Sequence, residues 1–227
     1  MPVLAYIIVA VAAYLLGSIP TGFLVARAKG IDIRAAGSGN IGATNSMRVM
    51  GKPAGIFVLL MDCAKGYAAV GFLGPLIFNW YAPHLSGLIV YFHDEPIKLQ
   101  TRFYVIVGIF AVLGHNYTCW LKFKGGKGIA TTAGVYLALA PLALGIAFVV
   151  FILAVLMSRY VSIGSIAAAI ALPVTVWIMS PNNLFLGIVT TALGAMAIYK
   201  HKSNIQRLMA GTENRLGKKT STTEGAK

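Results

Sequence analysis

The chain has 227 residues, 58% of them apolar and only 11% charged, with a formal net charge of +13. Apolar runs this long and frequent require a bilayer as solvent, which excludes a water-soluble domain of useful size between them. The basic excess does not call for nucleic acid, because the lysines and arginines stand at the ends of the apolar runs, where the positive-inside bias accounts for them.

The first span runs from about Pro2 to Phe23, with Gly17 and Pro20 near its end. It contains Ala10-Val11-Ala12 but has no basic region before it and continues past that point, so it reads as an uncleaved span rather than a signal peptide. Arg27, Lys29 and Arg34 mark a cytoplasmic exit. A polar, glycine-rich loop follows, ending in a short interfacial helix from Ile41 to Met50, which Gly51 closes before Pro53 opens the next helix. Span two covers Pro53 to Phe78 and carries Asp62 and Lys65 on one helical face. Such a pair either compensates its own insertion cost or serves a site. Residues 79–102 form the longest loop. Trp80 and Tyr81 suit an interfacial belt, whereas His84, His93, Asp94 and Glu95 lack metal-ligand spacing. Cys63 and Cys119 fall in apolar runs and form no metal-binding pattern, so neither disulfides nor a metal is expected.

Span three runs from Phe103 to Leu121, with His115 and Asn116 near its end and Lys122 and Lys124 beyond. The stretch from Gly128 to Ala140 is short for a full crossing. Counting it gives seven spans, the N-terminus out and the C-terminus in. All lysines and arginines except Lys65, Lys98 and Arg102 then share the cytoplasmic side, as the positive-inside rule requires. Spans five to seven cover Pro141 to Met157, Ser162 to Met179 and Leu184 to Tyr199, and small residues including Gly164, Ser165, Ala167 and Ala168 suit close packing of span six. The expected fold is an all-α, polytopic helical bundle forming one domain over residues 1–217, followed by a disordered basic cytoplasmic tail, 218–227.

Three polar segments interrupt this pattern. Gly37, Gly39 and Gly42 satisfy G-x-G-x-x-G, with Asp62 about twenty residues on, but no strand precedes them, so a dinucleotide fold is excluded. The physics of glycine backbone around phosphate at a helix start still applies. Ser38, Asn40, Thr44 and Asn45 add neutral hydrogen-bonding groups, and Arg48 adds a fork-shaped cation. Gly125-Gly126-Lys127-Gly128 is not a Walker loop, because Gly128 stands where Ser or Thr would hold magnesium. It opens a helix whose positive dipole end, with Lys127 as a point charge, suits an anion. His201 follows span seven, with Asn204 one turn later and Arg207 beyond, which makes His201 a candidate base or orienting group. Glu213 reads as the structural partner of a local cation. His115 and Asn116 either support the site or form a packed pair.

The segments Gly-Ser-Gly-Asn-Ile-Gly-Ala-Thr-Asn, Phe-Lys-Gly-Gly-Lys-Gly and His-Lys-Ser-Asn-Ile-Gln-Arg-Leu-Met-Ala-Gly-Thr-Glu together resemble the three motifs of the bacterial acyl-phosphate:glycerol-3-phosphate acyltransferases, the PlsY family. The resemblance covers the chain from span one to about Gly217, and the 80–102 loop is longer than the family leads one to expect. It implies transfer of a fatty acyl group from acyl phosphate to the 1-hydroxyl of glycerol 3-phosphate, giving lysophosphatidic acid at the first step of phospholipid synthesis. It further implies an inner-membrane enzyme with a cytoplasmic active site, supplied by a soluble acyl-phosphate-producing enzyme. Both substrates are phosphate-bearing anions and one carries a fatty chain, which fits a basic site open to the bilayer. The donor is already activated, so no cofactor is expected. No histidine is followed five positions on by Asp, so the His-x4-Asp acyltransferase motif is absent. On this reading Arg48, Lys127 and the amides of residues 125–128 hold phosphates, helped by Asn40 and Asn45. Ser38 hydrogen-bonds the reacting groups, Asn204 binds substrate, and His201 or the substrate's own phosphate takes the hydroxyl proton. The competing expectations are a transporter of small phosphorylated anions, suggested by the short Gly128–Ala140 helix, and a scaffold for anionic lipid headgroups.

Overall fold

An α-helix satisfies every backbone N–H and C=O within one apolar segment, which is why uniformly apolar sequence folds this way in a bilayer. The computed structural model describes residues 2–81 and 96–217, and all regular structure among them is helical. His84, His93, Asp94, Glu95 and residues 218–227 lie outside the described residues.

The chain opens with α1 (Pro2–Ser18) and α2 (Thr21–Ala28). The first span is therefore broken at Ile19-Pro20 and runs on past Phe23, because Pro20 has no N–H to continue the ladder. The carbonyl of Ile19 is met instead by Lys65 Nζ at 2.9 Å. Next come α3 (Ala43–Met50), with Gly51 at its C-cap, and α4 (Lys52–Ala68), which passes through a π turn, Ala69–Leu73, and stays helical to Tyr81. After α5 (Pro96–Asn116) come α6 (Ile129–Leu139), α7 (Pro141–Ser158), α8 (Val161–Met179), α9 (Leu184–Lys200) and α10 (Lys202–Met209). The last two meet at 51°.

Among the described residues five helical stretches are long and apolar enough to cross a membrane: Val3–Ala28, Lys52–Tyr81, Lys98–Leu121, Pro141–Ser158 and Val161–Met179. The bent α9–α10 pair makes a sixth. The 11 residues of α6 extend about 16 Å at the helical rise, roughly half of a hydrocarbon core.

Small residues set the closest contacts. A Cβ on Gly66 would overlap the carbonyl oxygen of Thr131, and one on Gly134 would overlap that of Cys63, so α4 and α6 touch backbone to backbone. This seats the short helix against a long one. Phe103 and Tyr136 are the largest side chains of the buried core, and the Tyr136 hydroxyl donates to Thr190 Oγ1 at 2.5 Å. A separate cluster of Ala26, Ile33, Ile41 and Leu121 pins the base of the first polar loop to the end of α2.

Candidate active site

The first polar loop is organised by Asn45, which is buried at the start of α3. Its Nδ2 donates to the carbonyls of Ala36 (3.0 Å) and Asn40 (2.9 Å), while its Oδ1 accepts the Ser38 N–H at 2.8 Å. Asn40 Oδ1 in turn accepts the Gly42 N–H at 2.8 Å. Gly37 has φ of +60°, and any side chain there would strike Asn45 Oδ1. The loop is thus folded around one amide. Ser38, Asn40, Gly42, Thr44 and Arg48 line a polar cleft, whereas Gly37 and Gly39 serve the turn behind it. Asn45 reaches the cleft but spends its hydrogen bonds on the loop itself.

The Gly-rich turn departs further from expectation. The N–H of Gly125 donates to the Asn116 carbonyl at 3.2 Å, and that of Gly126 to the His115 carbonyl at 3.0 Å. Neither glycine lines the cleft, so their amides are not free to hold an anion. A Cβ on Gly126 would overlap His115 Nε2. Lys127, Gly128, Ile129 and Ala130 do face the cleft, and Gly128, at φ of +83°, is the N-cap of α6.

The third segment is set by the bend at His201. Its N–H and its ring Nδ1 both turn back on the end of α9, with Nδ1 2.8 Å from the Ala197 carbonyl, which leaves Nε2 as the acceptor nitrogen. Asn204 lies one turn on and is fixed at both ends of its amide: Nδ2 donates to Glu213 Oε1 at 2.7 Å, and Oδ1 accepts from Lys127 Nζ. Glu213 is buried and also accepts from Ser162 Oγ (3.1 Å) and Arg207 Nε (2.7 Å). Its pairing with Arg207 is the contact expected of it.

Arg48, Lys127 and Arg207 therefore surround one carboxylate. Burial, with Arg207 and Arg48 pushing the same way against Glu213, lowers Lys127 to about 8. Burial and the charge of Lys127 lower His201 to about 4, so its ring is neutral at pH 7. Burial also draws Arg48 below its ordinary value, yet a guanidinium stays charged. For Glu213 burial pushes upward, but hydrogen bonds from Asn204, Arg207 and Ser162 outweigh it and hold the carboxyl below its usual range.

Asp62 and His115 line the same cleft, while Lys65 lies behind them on the Ile19 carbonyl. The Asn116 side chain is buried away from the cleft, and its carbonyl accepts both the Gly125 N–H and Lys200 Nζ. The sequence reading missed Ser162 and the start of α8, which it treated as packing surface. Two serines three residues apart in the first turns of an otherwise apolar helix are the available signal. The starts of α3, α6 and α8 all open on the cleft, so three positive dipole ends converge there.

Beside the cleft lies an apolar groove of about 190 Å³ between α6, α7, α8 and α9, with Leu144, Ala147, Leu172 and Leu193 in its walls. Leu59, Ile129, Ala130 and Phe151 belong to both, so the two spaces adjoin across a shared wall.

Cations and helix starts at one end and an apolar groove at the other form a two-part site within a bundle of membrane-length helices. The chain belongs to the glycerol-3-phosphate acyltransferase family, whose model matches residues 7–211. The glycerol-3-phosphate acyltransferase of Trichlorobacter lovleyi is 46% identical over 203 residues, covering 89% of this chain and 93% of that protein. That of Geobacter sulfurreducens is 44% identical over 215 residues, covering 92% and 96%. The crystal structure of PlsY (YgiH), an integral membrane glycerol 3-phosphate acyltransferase, matches in its glycerol 3-phosphate form with a TM-score of 0.78 and 35% identity, over 93% of this chain and 96% of that one. Its lysophosphatidic acid form matches with a TM-score of 0.73 and 36% identity, over 93% and 95%. Membership of an enzyme family sets the transporter and scaffold readings aside: the chain is an acyltransferase.

Proposed function

We propose that this acyltransferase transfers a fatty acyl group from acyl phosphate to the 1-hydroxyl of glycerol 3-phosphate, giving lysophosphatidic acid and phosphate. The observation that carries this reading is that the cationic cleft and the apolar groove adjoin, sharing Leu59, Ile129, Ala130 and Phe151 as a wall. A fatty chain in the groove brings its phosphate-bearing end to Lys127 and the start of α6. The hydroxyl oxygen attacks the acyl carbon, and the bond from that carbon to the bridging oxygen breaks. Phosphate leaves with the electron pair, and the hydroxyl proton passes to an oxygen of the phosphate of glycerol 3-phosphate. Arg48, Lys127 and the N–H groups at the starts of α3 and α6 hold the two phosphates, while Ser38 and Thr44 supply hydrogen bonds to the reacting groups. Asn204 steers Lys127, and His201 Nε2 accepts a hydrogen bond from the attacking hydroxyl. Because the donor is already activated, positioning and charge stabilisation suffice, without a protein nucleophile or cofactor. The purified protein in detergent, given acyl phosphate and glycerol 3-phosphate, should form lysophosphatidic acid. Its failure to do so, with turnover on another acyl donor, would replace the donor.

The same reading includes seven crossings, with the cleft facing the cytoplasm of a bacterial inner membrane and a soluble enzyme supplying acyl phosphate from that side. Lys127 and His201 share one cleft, so this reading counts the short α6 as a crossing together with α7, α8 and α9. The Leu216 N–H, 2.8 Å from the Arg159 carbonyl, supports this count by bringing the α7–α8 turn to the cleft side. Single cysteines at the exposed positions Lys52 and Ser203 are expected to resist an impermeant thiol reagent in intact cells, while one at Asn182 reacts. Ready labelling at Lys52→Cys or Ser203→Cys would overturn the orientation.

A further inference from the structure

The Asp62–His115 pair has no part in the chemistry just described, although both residues line the cleft and both are almost wholly buried. Asp62 Oδ1 is 2.9 Å from Lys65 Nζ and 3.6 Å from His115 Nδ1. Lys65 is itself tied to the break between α1 and α2. The imidazole thus has its Nδ1 edge against a carboxylate of α4 that Lys65 ties to the break between α1 and α2, and its Nε2 edge directly beneath Gly126. The backbone of the same residue accepts the Gly126 N–H at 3.0 Å. The residue next to Gly126 is Lys127, whose side chain carries the charge on which anion binding depends.

We propose that Asp62 and His115 are positioning residues: a buried carboxylate–imidazole prop that carries the Gly-rich turn and thereby aims Lys127 and the start of α6 into the cleft. The inference rests on the functional reading above, since it assigns these residues to the anion site of that reaction. It also changes the meaning of Gly126. A phosphate-binding loop needs glycine so that the ligand can approach its backbone. Here the Gly126 N–H is already spent on His115, and the space a side chain would need is filled by the His115 ring. The glycine is required by the prop rather than by the substrate. Fixing one loop residue through a packed and hydrogen-bonded neighbour is how a site holds its geometry within the tolerance that catalysis demands.

The test is a double-mutant cycle on Gly126→Ala and His115→Ala in the full-length detergent-purified enzyme, reading KM for glycerol 3-phosphate, kcat, and the rise in Tm on adding inorganic phosphate. Each single variant should raise KM about tenfold or more, with a smaller change in kcat, and weaken the phosphate-induced rise in Tm. Their losses should not multiply, because removing the ring makes room for the Cβ: the double variant should perform no worse than His115→Ala alone. His115→Asn, which withdraws the ring but keeps a polar group, replaces the alanine variant in the cycle if that one does not fold. Asp62→Asn, which keeps the shape of the carboxylate but not its charge, should show the same KM-weighted loss. Losses that multiply would mean that Gly126 serves the ligand directly, and a loss confined to kcat would mean that His115 acts on the reacting atoms; either overturns the proposal. The phosphate-induced rise in Tm requires no turnover, so a failure of the prop is distinguishable from a failure of the assigned reaction.

Discussion

Lys127→Ala is expected to lower kcat/KM by about a hundred- to a thousandfold, the range typical of removing one preorganised charge-stabilising donor from a water-poor site. The magnitude follows from the position of the ammonium. It is mostly buried, its direct contact is the neutral oxygen of Asn204, and its nearest carboxylate is already shared with Arg207. Burial sets Lys127 at about 8, so the free enzyme should lose its anion site as pH rises through that value and keep it below. An alkaline limb near pH 8 is expected in kcat/KM, moved upward in kcat because bound phosphate favours the charged form. Lys127→Arg carries a charge that does not titrate in this range, so whatever activity it retains should show no such limb. An alkaline limb that persists unchanged in Lys127→Arg would assign that ionisation to another group.

His201→Ala is expected to cost about a hundredfold, while His201→Gln recovers part of the loss by keeping a hydrogen-bonding group at the same reach. With its ring at about 4, His201 gains its proton only below that pH and is neutral from pH 5 to 8, so it contributes no acid limb in that interval. Burial and Lys127, which lower it, also make it a weak acceptor for a full proton transfer. The second ionisation of a phosphate monoester lies near 6, so an acid limb there is expected to come from the substrate and to survive in His201→Gln. Severe loss in His201→Gln together with disappearance of that limb would make His201 the base. Activity near wild type in both variants would remove it from the site.

Much of this arrangement was legible because hydropathy is local. The edges of α7, α8 and α9 follow from Pro141, the Ser158–Val161 turn and the Ser180–Asn183 turn, and each expected boundary lies within one residue of the structure. The three polar segments also announced themselves, since glycine and cations inside apolar sequence have few structural uses. What each residue does within them was not legible. Asn45 and Asn40 stand in the same string of polar residues, yet the first holds the loop and the second faces the cleft and accepts the Gly42 N–H. Gly125 and Gly126 read as anion-binding amides until the end of α5 is folded against them. The Glu213–Ser162–Asn204 network joins residues far apart in sequence, and no periodicity marks it.

Glu213 has a consequence for biosynthesis as well. It follows the described membrane helices in the chain, and it supplies negative charge among Arg48, Lys127 and Arg207. A nascent chain emerging from the ribosome therefore inserts α1 to α9 while its cationic groups still lack that counterion. Only when the segment beyond α10 folds back, seating Glu213 on Ser162 and the Leu216 amide on Arg159, does that counterion reach the cleft. The order of residues thus places a contact that completes the charge cluster beyond the helices that supply its cations, so those helices fold into the membrane ahead of it.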